Sequence, residues 1–150
     1  MDRRTLLQTA TASALAALTG SAAAAAAPAA QHRHHHHAGG SKFQALAASA
    51  THCLTTGETC LAHCLVLLGQ GDKAMAACGQ SVSELLAVCS ALQKLALQES
   101  NHTAAMAKMA LAVCEECEKE CRKHEKKHSQ CKDCADACAD CAKQCKLLAV

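Results

Sequence analysis

Thirteen cysteines lie in the last hundred residues of this 150-residue chain, and most of them recur at intervals of three, four or seven positions. These intervals return a side chain to one face of an α-helix, and coiled coils bury their apolar residues at the same intervals. Sulfur therefore occupies positions where a helical bundle would normally bury leucine. We predict that these thiols line one core and bind metal there: Cys53, Cys60, Cys64, Cys78, Cys89, Cys114, Cys117, Cys121, Cys131, Cys134, Cys138, Cys141 and Cys145.

Disulfides and iron–sulfur clusters fit this spacing poorly. An odd number of cysteines leaves one unpaired, and neighbours on one helical face project side by side, which disfavours disulfide geometry. The run from Cys131 to Cys145 lacks the C-x₂-C-x₂-C-x₃-C-P spacing of bacterial ferredoxins. Its intervening residues are mainly Ala, Asp and Lys, which are compatible with a helix rather than a cluster-binding loop.

Zinc and Cu(I) both accept thiolate ligands, but they leave different charges in the core. Four thiolates around Zn²⁺ leave two net negative charges in a low-dielectric interior, which is costly without cationic partners. One Cu(I) per thiolate leaves the core neutral, so many ions can be buried together. We therefore expect multiple Cu(I) ions per chain, with a zinc or heavy-metal sequestration module as the alternative.

The elements that must position these thiols are helical, because the chain after its N-terminal region shows no alternating β pattern. Ser41 is the expected first N-cap, and turn signals follow at residues 69–71, near Ser100 and near Ser129. Such short connections make successive helices antiparallel neighbours. The predicted fold of residues 41–150 is all-α, an up-down-up-down antiparallel four-helix bundle with a cysteine-lined core. Gly57 lies on the first cysteine stripe, where it would permit a close approach or mark a break.

The turns near residues 70 and 129 should lie at the same end of this bundle, which we call the mouth. His63 and Met75 lie beside cysteines at the mouth and are further candidate metal ligands. His124 and His128 should continue the third cysteine stripe there. Counting back from the turns, three pairs should lie level across the hairpins: Cys64 with Cys78, Cys53 with Cys89, and Cys117 with Cys141. The opposite end should form a hydrocarbon plug of Leu46, Leu92, Leu95, Met106, Met109, Leu147 and Leu148.

Residues 1–27 are typical of an export signal peptide, with Arg3-Arg4, an apolar stretch and then small residues. The paired arginines favour the twin-arginine route, with an ordinary Sec signal as the alternative. We therefore expect a periplasmic or otherwise exported protein that leaves the membrane after signal cleavage. Residues 28–40 form a flexible leader, and its histidines between positions 32 and 37 either capture borderline metals weakly or are simply solvated.

Composition excludes some partners. The formal charge is +2 and Phe43 is the only aromatic residue, so there is neither a basic patch nor a stacking surface for nucleic acid. An oxidase-like bundle would need inward-facing Glu-x-x-His carboxylate sites, and no such motif faces inward. We do not expect an enzyme.

Three segments carry a resemblance to a known family: C-L-A-H-C from Cys60, C-E-E-C-E-K-E-C from Cys114, and C-K-D-C-A-D-A-C-A-D-C-A-K-Q-C from Cys131. With the export signal, residues 41–150 resemble the exported branch of the bacterial four-helix-bundle copper storage proteins. The resemblance implies a Cu(I)-filled bundle that stores or buffers copper, and usually a homotetramer. It also implies that copper is admitted at an end bearing histidine and methionine, which His63 and Met75 match. We expect copper-requiring enzymes as the recipients.

Overall fold

The computed structural model of the protein describes residues 41–148, which contain four α-helices and no strand. The helices are α1 (Gln44–Gly69), α2 (Ala76–Leu97), α3 (Thr103–Arg122) and α4 (Ser129–Lys146), and a 3₁₀ turn, Lys73–Met75, leads into α2. Helices α1 and α3 each pack against both α2 and α4. Because the connections are short, consecutive helices run antiparallel. The predicted all-α, up-down-up-down bundle is confirmed.

The helix starts differ slightly from the prediction. Helix α1 begins at Gln44, and Phe43 rather than Ser41 is its N-cap residue. Ser41 stabilises the preceding turn instead, because its Oγ accepts a hydrogen bond from the Phe43 N–H at 3.3 Å. Asp72 caps the 3₁₀ turn before α2, since its Oδ1 accepts a hydrogen bond from the Ala74 N–H at 3.1 Å.

Helix α3 ends at Arg122, earlier than predicted. The six residues that follow, 123–128, are all polar or charged, so an extra turn of helix would have no apolar side chain to bury. The prediction that His124 and His128 continue the α3 stripe is therefore wrong. Both residues lie in the connection, and His128 has extended backbone immediately before α4.

The core is built mainly from sulfur and small side chains. All thirteen cysteines have no exposed surface, and Leu46 and Leu92 are buried at the end opposite the mouth. Leu95, Met106 and Leu148 are only partly buried there. Met109 and Leu147 are 57% and 72% exposed, so they do not belong to the plug. The hydrocarbon plug is therefore smaller than the sequence suggested.

Gly57 allows two helices to approach closely. Helix α1 continues through it without a break, and the residue is buried. A Cβ atom built at this position would lie 3.0 Å from the Leu86 Cδ2 atom of α2. The glycine therefore makes room for α2 to pack directly against the α1 backbone.

By length and composition, one helical stretch within the described part of the chain, Lys73–Leu97, could cross a membrane. This stretch supplies core residues of the bundle, and 44% of its most apolar segment is buried there. The core helix of a soluble protein meets the same criteria, so this is weak evidence for a membrane span.

Candidate metal centre

The thirteen cysteines carry free thiols, and twelve of them fall into four groups, three of which overlap. Within each group, every sulfur atom lies within 4.8 Å of every other. The mouth group is Cys60, Cys64, Cys78 and Cys131, and the deep group is Cys53, Cys89, Cys114 and Cys141. Two triads lie between them, Cys60–Cys121–Cys134 and Cys117–Cys134–Cys138. Cys60 and Cys134 are each shared by two groups. Cys53 of the deep group forms a hydrogen bond with Cys138 of the second triad, so the groups form a connected series.

Helix α4 supplies at least one cysteine to every group in this series. Its cysteines step by three and four residues, so they follow one face of the helix, and they contribute to all four groups. The stretch from Cys131 to Cys145 extends about 21 Å along the axis at about 1.5 Å per residue. Cys145 is buried one turn beyond Cys141 and belongs to none of the four groups. The other three helices supply the facing sulfurs.

Two of the three predicted level pairs are confirmed. The Cys64 and Cys78 sulfurs lie 3.7 Å apart, and Cys53 shares the deep group with Cys89. The predicted match of Cys117 with Cys141 is wrong, because Cys141 groups with Cys114. The hairpin of α3 and α4 turns earlier than expected, since α3 already ends at Arg122, and the register shifts by about one helical turn.

Hydrogen bonds between the thiols shift their pKa values in opposite directions. The hydrogen bond between Cys53 and Cys114, together with burial, raises the pKa of the Cys53 thiol. Hydrogen bonds from Cys121 and Cys131 lower the pKa of Cys78 by stabilising its thiolate. These two directions are opposite within the same core, so some sulfurs hold their protons while others are predisposed to be thiolates.

The same pattern appears in other groups. The hydrogen bond from Cys117 lowers the pKa of Cys134, and the hydrogen bond from Cys114 lowers that of Cys141. A sulfur predisposed to ionise is thus present in the mouth group, in the triads and in the deep group. Each such thiolate is a suitable first ligand for a soft cation.

Two histidines meet at the mouth. His63 Nε2 and His128 Nδ1 lie 3.0 Å apart, so one ring nitrogen donates a hydrogen bond and the other accepts it. This contact joins α1 to the connection between α3 and α4. The His124 ring lies 6.5 Å from that of His128, measured between centroids. Met75 is fully buried at the end of the 3₁₀ turn, three residues before Cys78. His63 and Met75, the two ligands predicted besides the cysteines, therefore both lie at the mouth.

Sequence reasoning missed Arg122, which holds the α3–α4 connection in place. Its Nη1 atom lies 2.8 Å from Glu125 Oε2 and 2.7 Å from Asp136 Oδ1, and its Nη2 atom pairs with Glu118. The guanidinium thereby joins the end of α3, the connection and α4. The only sequence signal for this role is an isolated Arg four residues after a Glu, which is too common to identify a hub.

A protein-family match and two similar solved structures all indicate copper storage proteins. The family described as copper storage protein matches residues 39–150. Apo copper storage protein 3 from Bacillus subtilis is 27% identical with a TM-score of 0.62, and the alignment covers 71% of this chain and 98% of that one. Cu(I)-bound copper storage protein BsCsp3 is 25% identical with a TM-score of 0.63, with coverages of 71% and 97%. No curated protein matches the chain.

Proposed function

We propose a function from one established premise: this chain belongs to the copper storage protein family. The protein stores copper by binding multiple Cu(I) ions inside its helical bundle. The observation that carries this function is the burial of thirteen free thiols in one continuous core. A core of this kind holds soft monovalent cations without leaving net charge behind, because each Cu(I) balances one thiolate.

All thirteen cysteines are proposed as the copper ligands. Cu(I) is satisfied by few soft ligands, so neighbouring sulfurs on one helical face can share ions. Spacing within 4.8 Å in each group supports such sharing. Each ion displaces the proton of the thiol that it binds, and the number of ions can therefore approach the number of cysteines.

Copper is proposed to enter at the mouth, with His63 and Met75 as its first ligands there. His63 is only partly buried, which supports contact with incoming ions, while Met75 is buried next to the mouth group. An imidazole and a thioether bind copper without requiring a buried thiolate. They could therefore receive the ion before the cysteines do.

The cellular setting follows from the sequence and from the family resemblance. We propose export through the twin-arginine route, directed by residues 1–27, and a periplasmic store that supplies copper-requiring enzymes. The signal and the leader, residues 28–40, lie outside the described residues. A homotetramer is proposed as the assembly, and the exposed Leu65 and Val66 side chains on α1 suit a subunit interface. We propose no catalytic reaction.

Anaerobic titration of the reduced protein with Cu(I), against a competing chelator, tests the storage function. Saturation near one ion per cysteine is expected, because charge balance allows every thiolate to accept copper. Binding of only one or two ions would exclude storage. Light scattering of the purified protein measures the assembly, and a monomer would contradict the tetramer.

The role of the mouth is tested with the double variant H63A/M75L, in which leucine preserves the volume of the buried methionine. Copper loading and removal should slow while the capacity stays nearly unchanged. The control is H52A, since His52 is an exposed histidine on the same helix. A large loss of capacity in the double variant, or equal slowing in the control, would contradict admission through His63 and Met75.

A further inference from the structure

The four sulfurs of the mouth group are arranged like the corners of a small tetrahedron. The Cys60 and Cys131 sulfurs lie 3.8 Å apart, those of Cys64 and Cys78 lie 3.7 Å apart, and all four lie within 4.8 Å of one another. A tetrahedral zinc site with Zn–S bonds of about 2.3 Å has sulfur–sulfur edges of about 3.8 Å. Two opposite edges of the mouth group therefore already have the length that a divalent tetrahedral ion requires.

The position of this group also offsets the charge that such an ion would leave. Cys78 is the third residue of α2 and Cys131 is the third residue of α4. The Cys131 sulfur is thus in the first turn of a helix, where the macrodipole favours negative charge. The Cys78 sulfur lies in the second turn of the helical stretch Lys73–Leu97, because the 3₁₀ turn Lys73–Met75 leads directly into α2. The Cys121 sulfur lies 3.6 Å from that of Cys78 and can donate its S–H to a thiolate there.

The deep group lacks these features. Cys53, Cys89, Cys114 and Cys141 all lie within their helices, and none is in a first turn. The Cys53 thiol donates to the Ala137 carbonyl oxygen at 3.3 Å, which favours its protonated form. A dianionic four-thiolate site would therefore be much less favourable in the deep group than at the mouth.

We propose that the mouth group binds one divalent thiophilic cation, Zn²⁺ or Cd²⁺, in a tetrahedral four-thiolate site when the bundle holds no copper. This goes beyond the storage of Cu(I), because it concerns a divalent ion of another element with four sulfur ligands. Binding forms four metal–sulfur bonds, and each mouth thiol that is still protonated gives up its S–H proton to solvent. The remaining net charge of minus two lies between the N-termini of α2 and α4. Cu(I), whose sites leave no net charge, should displace the divalent ion.

The test uses the reduced, full-length protein under anaerobic conditions, with Co²⁺ as a probe of coordination. Tetrahedral four-thiolate Co²⁺ absorbs intensely and shows sulfur-to-metal charge transfer, whereas Co²⁺ on the leader histidines does neither. One equivalent of the thiolate-type signal is expected, and Zn²⁺ should abolish it by competition. C78S and C131S should each weaken binding at least about tenfold, as even loss of a supporting contact can do.

C89S and C114S in the deep group are the matched controls and should retain the full signal. Circular dichroism of each variant establishes that it is folded, and C64S serves as a third mouth variant if either of the first two unfolds. The proposal is overturned by the absence of a thiolate-type signal, by more than one equivalent of it, or by equal losses in mouth and deep variants. Cu(I) titration of the same wild-type sample tests copper storage separately. Saturation near one ion per cysteine there would leave the storage function intact even if the divalent site were absent.

Discussion

Each of the thirteen cysteines occupies a buried position with a side chain smaller than the leucine usual in helical bundles. Full burial of a leucine-sized side chain contributes about 1.5–3 kcal/mol, and a cysteine contributes less because it removes less apolar surface from water. Few larger side chains are fully buried among the described residues; Met75, Leu85 and Leu92 are the largest. The copper-free protein is therefore expected to draw its stability from a small number of hydrocarbon contacts.

Gly57 provides a test of how tightly α1 and α2 pack. A Cβ atom there would meet the Leu86 Cδ2 atom at 3.0 Å. This is the end of a flexible, partly exposed side chain, so G57A should be nearly neutral, because the gain in helix propensity offsets the contact. G57L should lower the free energy of unfolding by about 1–3 kcal/mol through overpacking. Urea unfolding of the reduced, copper-free protein measures both effects.

The control for the two Gly57 variants is G69A at the end of α1, where a Cβ atom would contact nothing within 4 Å. It should unfold at nearly the wild-type urea concentration. If G57L were as stable as the wild type, the two helices would have to lie farther apart at this level than the structure indicates.

The candidate ligands differ in how far the sequence could predict them. Periodicity identified every cysteine as buried, because a residue on a helical stripe keeps its face whatever the exact length of the helix. It could not predict that His63 meets His128. That contact depends on the path of residues 123–128, which have no repeating pattern, so only the folded connection brings the two rings together.

At the scale of the helices, number, order and antiparallel arrangement were predictable because Gly69-Gln70-Gly71 and the cap residues interrupt clear apolar stripes. The end of α3 was not predictable, because residues 123–128 contain no Gly or Pro that would mark it, and the helix stops where apolar side chains to bury run out. That difference of a few residues changed which cysteines lie level in the second hairpin. The division of the thiols into groups thus depended on one helix end that the sequence does not mark.

The ion pairs of Arg122 should contribute to the docking of α3 on α4. The nearby Lys132 and then Arg122 lower the pKa of Asp136, because both form hydrogen bonds to its carboxylate. R122Q should lower the free energy of unfolding by about 0.5–1 kcal/mol at neutral pH, as is usual for partly exposed pairs. Thermal or urea unfolding of the copper-free protein at low and high salt measures the effect.

The pH dependence of R122Q has a definite sign. A carboxyl group with a lowered pKa in the folded state adds stability above its unfolded pKa of about 3.9, and that stability is lost as the pH falls. The difference between R122Q and wild type should therefore shrink towards pH 3. K143Q is the control, since the Lys143–Asp140 pair is largely exposed, and no measurable change is expected. A difference for R122Q that persists undiminished at pH 3 and high salt would rule out an ionic origin.

At the scale of the whole molecule, the buried thiols should make the copper-free protein sensitive to alkali. Hydrogen bonding to other thiols, together with burial, raises the pKa of many of them: Cys53, Cys60, Cys121, Cys138 and Cys145 are examples. In the unfolded chain the same thiols lose their protons near pH 8.5. The folded state then binds more protons than the unfolded one, so stability should decrease as the pH rises above about 9.

Anaerobic urea unfolding between pH 7 and 10, with reductant present, measures this decrease. Each thiol that stays protonated only in the folded state contributes a slope of about 1.4 kcal/mol per pH unit. C53S removes one such group and should make the slope shallower, whereas H52A changes an exposed histidine and should leave it unchanged. A stability that is constant or rises over this interval would contradict the burial of neutral thiols.

Copper loading should raise the stability of the folded protein, because ions that bind only the folded state stabilise it by mass action. A ligand at a thousand times its dissociation constant adds about 4.1 kcal/mol for a single site, and this chain offers many sites. The unfolding temperature should therefore rise with each equivalent of Cu(I) until the thiols are saturated, then stay constant. Removal with a strong chelator should restore the copper-free value, and loading should weaken at lower pH as protons compete for sulfur.

Differential scanning calorimetry along an anaerobic titration measures the rise, with C89S expected to reach a lower plateau than wild type. An unfolding temperature that stays unchanged while copper binds would mean that the ions lie outside the folded core.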